Sequence, residues 1–166
     1  MTTTSDSELE MTLLMTPDKA NFSGNVHGGQ MLKLLDEVAY ACAARYSGTY
    51  VVTLSVDQVL FKEPIGIGEL VTFLAKVNDT GRTSMEIGIK VIAETVTKQK
   101  RRHAMTCYFT MVALDEHGKP TEVPPLAVDD EPSKQRQRAA RLRKQLRREV
   151  EERYRSIKSV GVDTSG

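Results

Sequence analysis

The chain has little with which to cross-link itself or hold a metal. Its two cysteines, Cys42 and Cys107, stand among apolar neighbours and at no metal-ligand spacing, so both read as reduced core residues and neither as a nucleophile. His103 and His117 have no partner at ligand spacing, and no metal site is expected. No stretch is apolar for long enough to span a membrane. The opening residues Met1 to Asp6 lack a basic n-region and an apolar h-region, so no secretory leader is expected and the cytoplasm is the expected location. No internal repeat of useful length is visible. Neither sign of charge dominates, at 23 basic against 22 acidic residues, and 40% hydrophobic content in 166 residues suffices for one core plus a tail.

The densest chemistry lies early. Ala20-Asn21-Phe22-Ser23-Gly24-Asn25-Val26-His27-Gly28-Gly29 is a polar, glycine-rich turn that runs into a mostly apolar segment. If residues 29 to 46 form one helix, a step of about 100° per residue puts Met31, Leu34, Leu35, Val38, Ala39 and Cys42 on one face. Leu32 and Ala43 mark its margin, with Asp36 beside them. A carboxylate there is expected to be half withdrawn from water, which disfavours its charged form and suits a general base. A solvated aspartate also fits. Gly28 and Gly29 let the backbone approach a ligand, and the first N–H groups of a helix present partial positive charge to an oxyanion. Asn21 and Asn25 offer amides to orient a water or a carbonyl, and His27 a proton carrier near neutral pH. A cap loop without a ligand fits the same residues.

Downstream the period changes from 3.6 to 2. Residues 84 to 93 alternate, with Met85, Ile87, Ile89, Val91 and Ala93 on one face. Val71 to Val77 repeat the pattern before the turn at Asn78-Asp79-Thr80-Gly81, and Met105 to Ala113 repeat it after the basic run Lys98 to His103. Tyr50 to Phe61 is a further extended run, and Glu10 to Met15 an edge-strand candidate. One helix after a first strand, followed by a meander of four, gives an α+β fold. Beside the turn, Gly81, Arg82, Thr83 and Ser84 combine a guanidinium with hydroxyls where a phosphate could bind, and Lys62 could add a second cation. A surface arginine in a glycine-enabled turn is the plainer alternative.

After Gly118 the composition shifts. Residues 119–132 carry Pro120, Pro124, Pro125 and Pro132 with an acidic cluster, and read as a linker over the surface of a domain spanning 8–118. Residues 133–158 contain no glycine or proline and predict a helical tail. Eight basic and no acidic residues stand between Lys134 and Arg148, which leaves 15 basic against 22 acidic elsewhere, a net of −7. Leu142, Leu146 and Val150 form a narrow apolar stripe, enough to dock at an oligomer seam. Contact with nucleic acid, an anionic surface or the phosphates of a ligand is the alternative.

Taken together, the run Asn21 to Gly29, Leu35-Asp36-Glu37, Leu60-Phe61-Lys62-Glu63-Pro64 and Thr80-Gly81-Arg82-Thr83-Ser84-Met85-Glu86 resembles the acyl-CoA hydrolases of the hotdog superfamily. The bacterial and brain-type thioesterases are the nearest look-alikes, over residues 8 to 125 or so. The resemblance implies a five-stranded antiparallel sheet wrapped around one central helix, dimers joined edge to edge, and often three dimers in a hexamer. It implies hydrolysis of an acyl-CoA thioester, with coenzyme A only as part of substrate and product. Residues at the positions of Asn21 and Asp36 would act from opposite subunits, Gly28 and Gly29 would stabilise the oxyanion, and Lys62 with Gly81 to Ser84 would contact coenzyme A. A non-turnover acyl-CoA sensor with a nucleic-acid-binding tail is the main alternative, although intact Asn21 and Asp36 argue against it. A dehydratase on the same fold would need His27 in a setting that does not match.

Overall fold

The alternation of residues 84 to 93 becomes a strand because one of its faces is withdrawn from water: Met85, Ile87, Ile89, Val91 and Ala93 are all buried. The computed structural model describes residues 4–160. Strand β1 (Glu8–Leu14) precedes helix α1 (Gly28–Ser47), and β2 (Tyr50–Val56), β3 (Leu70–Thr80), β4 (Ser84–Thr95) and β5 (Lys100–Leu114) follow it. All pairings are antiparallel, in the order β1-β3-β4-β5-β2. This is the hotdog topology that the resemblance implies, with β1 and β2 as its edges; the four strands after α1 are not the expected meander, because β2 crosses to the far side of β5 and only β3, β4 and β5 follow one another.

α1 packs its apolar arc on the sheet. Met31, Leu34, Leu35, Val38, Ala39, Cys42, Ala43 and Tyr46 are buried, and each large side chain so covered contributes about 1.5–3 kcal/mol before the entropy of ordering it is subtracted. Gly48, at φ 68°, ends the helix in the left-handed conformation and returns its N–H to the Ala44 carbonyl at 2.9 Å. Burial pushes the Cys42 and Cys107 thiols up to about 12, so both stay protonated and inert.

Strand boundaries differ from the expected ones, most of all in β2 and β5; β1 starts two residues earlier, and β3 runs on to Thr80 because Asp79 and Thr80 still pair with β4. β2 stops at Val56 rather than Phe61, because a bulge between Thr53 and Ser55 shifts the register and the last bond to β5 is Asp57 N–H to the Tyr108 carbonyl. The chain then leaves the sheet as a loop, residues 57–69. β5 starts earlier, at Lys100, and takes in most of the basic run, since Lys100, Arg101 and Arg102 pair with Thr95, Glu94 and Ala93. Glu94 accepts Arg101 Nε at 2.9 Å, so opposite charges across the ladder make the basic strand tenable.

Residues 119–127 are docked on the sheet. Thr121 N–H bonds the Ala113 carbonyl and Val123 N–H the Arg82 carbonyl, each at 2.9 Å, and Tyr46 donates to the Pro124 carbonyl at 3.0 Å. The described residues through Ala127 make one compact unit, and those from Val128 a second. In the second unit, α2 (Glu131–Val160) begins two residues before the expected start, because the Asp130 carboxylate caps Ser133 N–H at 2.8 Å and Pro132 suits a first turn. Leu142, Leu146 and Val150 are about half exposed along it.

Candidate active site

The turn before α1 is rigid because one side chain organises it. Asn21 Oδ1 accepts from Ser23 N–H and Ser23 Oγ, both at 2.9 Å, and from Asn25 N–H at 3.1 Å. Asn21 N–H reaches the Asn25 carbonyl at 2.7 Å, and Gly24 takes φ 78°, a conformation costly for other residues. Since the oxygen is occupied, Asn21 presents its amide NH2, which has no protein partner among the described residues. Asn21 is therefore a donor here. Phe22, the next residue, is fully exposed.

His27 caps the helix. Its Nδ1 accepts Gly29 N–H at 2.9 Å, which leaves Nε2 as the ring nitrogen that carries a proton. That contact qualifies the expected oxyanion hole: Gly29 N–H is committed to His27, whereas Gly28 N–H has no partner among the described residues. Gly28 also lines a cavity of about 350 Å³ together with Asn21, Ser23 and Asn25 on its polar side and Val26, Met31, Phe61, Ile65 and Met105 on its apolar side. A helix N-terminus opening into a half-apolar hollow favours an anionic group beside a greasy chain.

Asp36 lies elsewhere. It is exposed in the single chain rather than half withdrawn, because Val38 and Ala39 turn into the core while position 36 faces the open edge of β2. Its Oδ1 accepts the Thr53 hydroxyl at 2.5 Å, and Thr53 Oγ1 also lies 3.5 Å from Met111 Sδ. Asp36 stands eight residues after Gly28, roughly 12 Å along the axis at 1.5 Å per residue. One carbonyl cannot touch both groups of the same chain.

The expected coenzyme A contacts are divided likewise. Lys62 sits in the loop whose neighbours Phe61 and Glu63 wall the cavity, near the level of Met105 and its partner Val91. The turn Gly81 to Ser84 closes the other end of the sheet, seven residues from Val91 along β4, roughly 24 Å at 3.4 Å per residue. Gly81 N–H bonds the Ser84 carbonyl at 2.8 Å, and the exposed Arg82 side chain has no partner among the described residues. Thr53 pairs with Met111 and Met111 with Met85, which places Asp36 and Thr53 at that same far end. The candidate residues thus fall into two groups, each a candidate half-site: Asn21, Gly28 and Lys62 at one end, Asp36, Thr53 and Gly81 to Ser84 at the other.

Three further residues escaped the sequence reading. Thr53 has no local signal, only a carboxylate on another element. Glu69 and Arg102, 33 residues apart, form a forked ion pair at the cavity wall. The Arg102 guanidinium holds the Glu69 carboxyl well down, at about 2.

Residues 23–100 match the model of the thioesterase superfamily. The chain is 48% identical over 141 residues to protein VdlD of Helicobacter pylori, covering 85% of this chain and 80% of that one. It is similar to an apo-hexameric acyl-CoA thioesterase (33% identity, 89% and 94% of the two chains, TM-score 0.84). It is also similar to an acyl-CoA hydrolase from Staphylococcus aureus solved with butyryl coenzyme A and coenzyme A (30% identity, 95% of each chain, TM-score 0.81). That hydrolase has been solved with alanine in place of an asparagine, an aspartate and a threonine, which follow one another at intervals of 15 and 17 residues. With this fold, this order of motifs and these relatives, the chain belongs to the acyl-CoA thioester hydrolases of the thioesterase superfamily.

Proposed function

We propose that the protein hydrolyses acyl-CoA thioesters to a free fatty acid and coenzyme A in a site assembled from two copies of the chain. The observation that carries this reading is the division of the half-sites. Asn21 and Gly28 present unpaired donors at one end of the sheet, and Asp36, held by Thr53, presents an acceptor at the other. A two-fold axis at β2 would join the edge strands antiparallel and set one end against the other. Support comes from the exposure of Tyr50, Leu54 and Val56 on β2, Leu32 and Tyr40 on α1, and Phe22 beside Asn21. Apolar groups so placed are expected beneath a partner.

The chemistry follows from the groups. Asp36 takes a proton from water that attacks the thioester carbon, or attacks it directly to form an anhydride that water then opens. The Thr53 hydroxyl donates to Oδ1, so Oδ2 is turned toward the reacting atom. Gly28 N–H and the α1 N-terminus stabilise the oxyanion, and the Asn21 amide orients the water or the carbonyl. The C–S bond breaks, and the thiolate leaves as coenzyme A after taking up a proton. Arg82, with Gly81, Thr83 and Ser84, would receive phosphates of coenzyme A, joined by Lys62 of the second copy. The intervals of 15 and 17 residues in the staphylococcal enzyme recur here from Asn21 to Asp36 and from Asp36 to Thr53. Further assembly into a trimer of dimers fits the hexameric relative and the exposed stripe of α2.

The test is incubation with palmitoyl-CoA and shorter acyl-CoAs in the presence of a thiol reagent. Release of free coenzyme A at a rate saturable in substrate supports the reading. Tight binding without turnover of any acyl-CoA contradicts it.

A further inference from the structure

A buried cluster of charge lies behind the cavity wall, outside the two half-sites. Glu69, at the start of the β3 region, is buried to 8% exposure yet ionised. Its Oε1 accepts Arg102 Nη1 and the Thr95 hydroxyl, and its Oε2 accepts Arg102 Nη2 at 2.9 Å and Gly66 N–H at 2.7 Å. Arg102 spends its remaining donors on the same loop: Nη2 also reaches the Pro64 carbonyl at 2.8 Å, and Nε pairs with Glu63 at 3.3 Å. A planar fork matched to a carboxylate fixes direction as well as distance.

These contacts continue into the Asn21 loop. Val26 N–H donates to the Ile65 carbonyl at 2.8 Å, Asn25 bridges to Gly66, and Asn25 N–H is one of the donors that lock the Asn21 side chain. Hydrogen bonds to Pro64 and Gly66 therefore tie Arg102 and Glu69 to the 64–66 segment, and the Val26–Ile65 bond ties that segment to the loop that holds Asn21. Neither Glu69 nor Arg102 is among the residues that line the cavity.

We propose that Glu69 and Arg102 are a positioning pair for hydrolysis: together they hold the wall formed by Glu63, Pro64 and Ile65, and through it aim the Asn21 amide and the Gly28 N–H. The proposal rests on the reading of Asn21 and Gly28 as one half of a hydrolytic site. A misplacement of about 1 Å at such groups costs on the order of a hundredfold in rate. Removing one partner also leaves the other charge buried and unpaired, so the two positions are energetically coupled.

Glu69→Gln and Arg102→Lys test it, each compared with the double variant. Two readouts are combined: the separate values of kcat and KM on an acyl-CoA, and amide hydrogen exchange at Asn25, Val26 and Gly66. The expected result is a fall in kcat of tenfold or more, KM within about threefold, and exchange faster by tenfold or more at those three amides, with the centres of β3, β4 and β5 unchanged. The double variant should be no slower than the slower single one. Values of kcat within twofold of wild type in both single variants would overturn the proposal, as would a loss of activity matched by equal loss of protection throughout the sheet, the mark of a general fold brace. Should either variant fail to fold, Thr95→Val removes one donor to Glu69 with less disturbance. It should lower kcat two- to threefold with the same local exchange pattern, and an unchanged kcat and exchange would contradict the pairing. A wild-type protein without thioesterase activity would sink the hydrolytic reading, while the exchange data would still decide whether the pair anchors the loop.

Discussion

Thr53 Oγ1 donates to Asp36 Oδ1 at 2.5 Å, tying the middle of α1 to the edge strand β2 across 17 residues of sequence. Among the described residues the second carboxylate oxygen has no partner, and the bond fixes where it points. It also stands at the open edge of the sheet, where an isolated chain would have little reason to order an exposed aspartate.

Thr53→Val keeps the branched shape and removes the donor. Hydrogen bonds to charged groups contribute about 1.5–3 kcal/mol, so kcat should fall roughly tenfold to hundredfold with little change in KM. Steady-state kinetics on the variant checks this, and an unchanged kcat would mean that Asp36 needs no orientation by Thr53. Asp36→Asn should cost more, roughly a hundredfold to ten-thousandfold, the usual span for a general base.

Acid stability should depend on Glu69. Its ordinary value is 4.5 and its folded value about 2, so the folded state favours the ionised form. A depressed carboxyl contributes its full stabilisation above about pH 4.5 and loses it as pH falls through about 2. Between those limits the melting temperature of the wild type should fall more steeply than that of Glu69→Gln. Parallel slopes measured by circular dichroism would show that the pair contributes nothing to acid unfolding.

Much of this was legible in the sequence. The apolar arc of α1 and the alternation at Met85 to Ala93 are local patterns, and both survive folding because each buries one face. Asn21 and Asp36 were also legible as candidates from residue type. The exposure of Asp36 was not, since its margin of the helix meets an open sheet edge rather than a strand of the same chain. Nor was the commitment of Gly29 N–H, because a histidine cap depends on a rotamer. Thr53, Glu69 and Arg102 gain their partners only when distant segments meet, and no spacing announces that. The end of β2 at Val56 depended on a bulge that alternation alone does not reveal.

Truncation after Pro132 should separate assembly from chemistry. It removes α2, whose exposed Leu142, Leu146 and Val150 offer a docking stripe and whose first half is strongly basic. Light scattering should show a fall from hexamer to dimer, with KM and its salt dependence little changed. An assembly that keeps its number of chains would contradict the docking role, and a KM that rises and loses its salt sensitivity would instead point to a tail that grips phosphates.

The composite site is tested most directly by mixing two dead proteins. Asn21→Ala lacks the donor and Asp36→Ala the acceptor, so each homodimer should be inactive. Co-refolding equal amounts should give heterodimers in about half of the assemblies, each with one intact and one doubly disabled site, because symmetric pairing is random. About a quarter of wild-type activity per chain is therefore predicted. Complete inactivity in a mixture shown by mass to contain heterodimers would contradict a site shared between two copies.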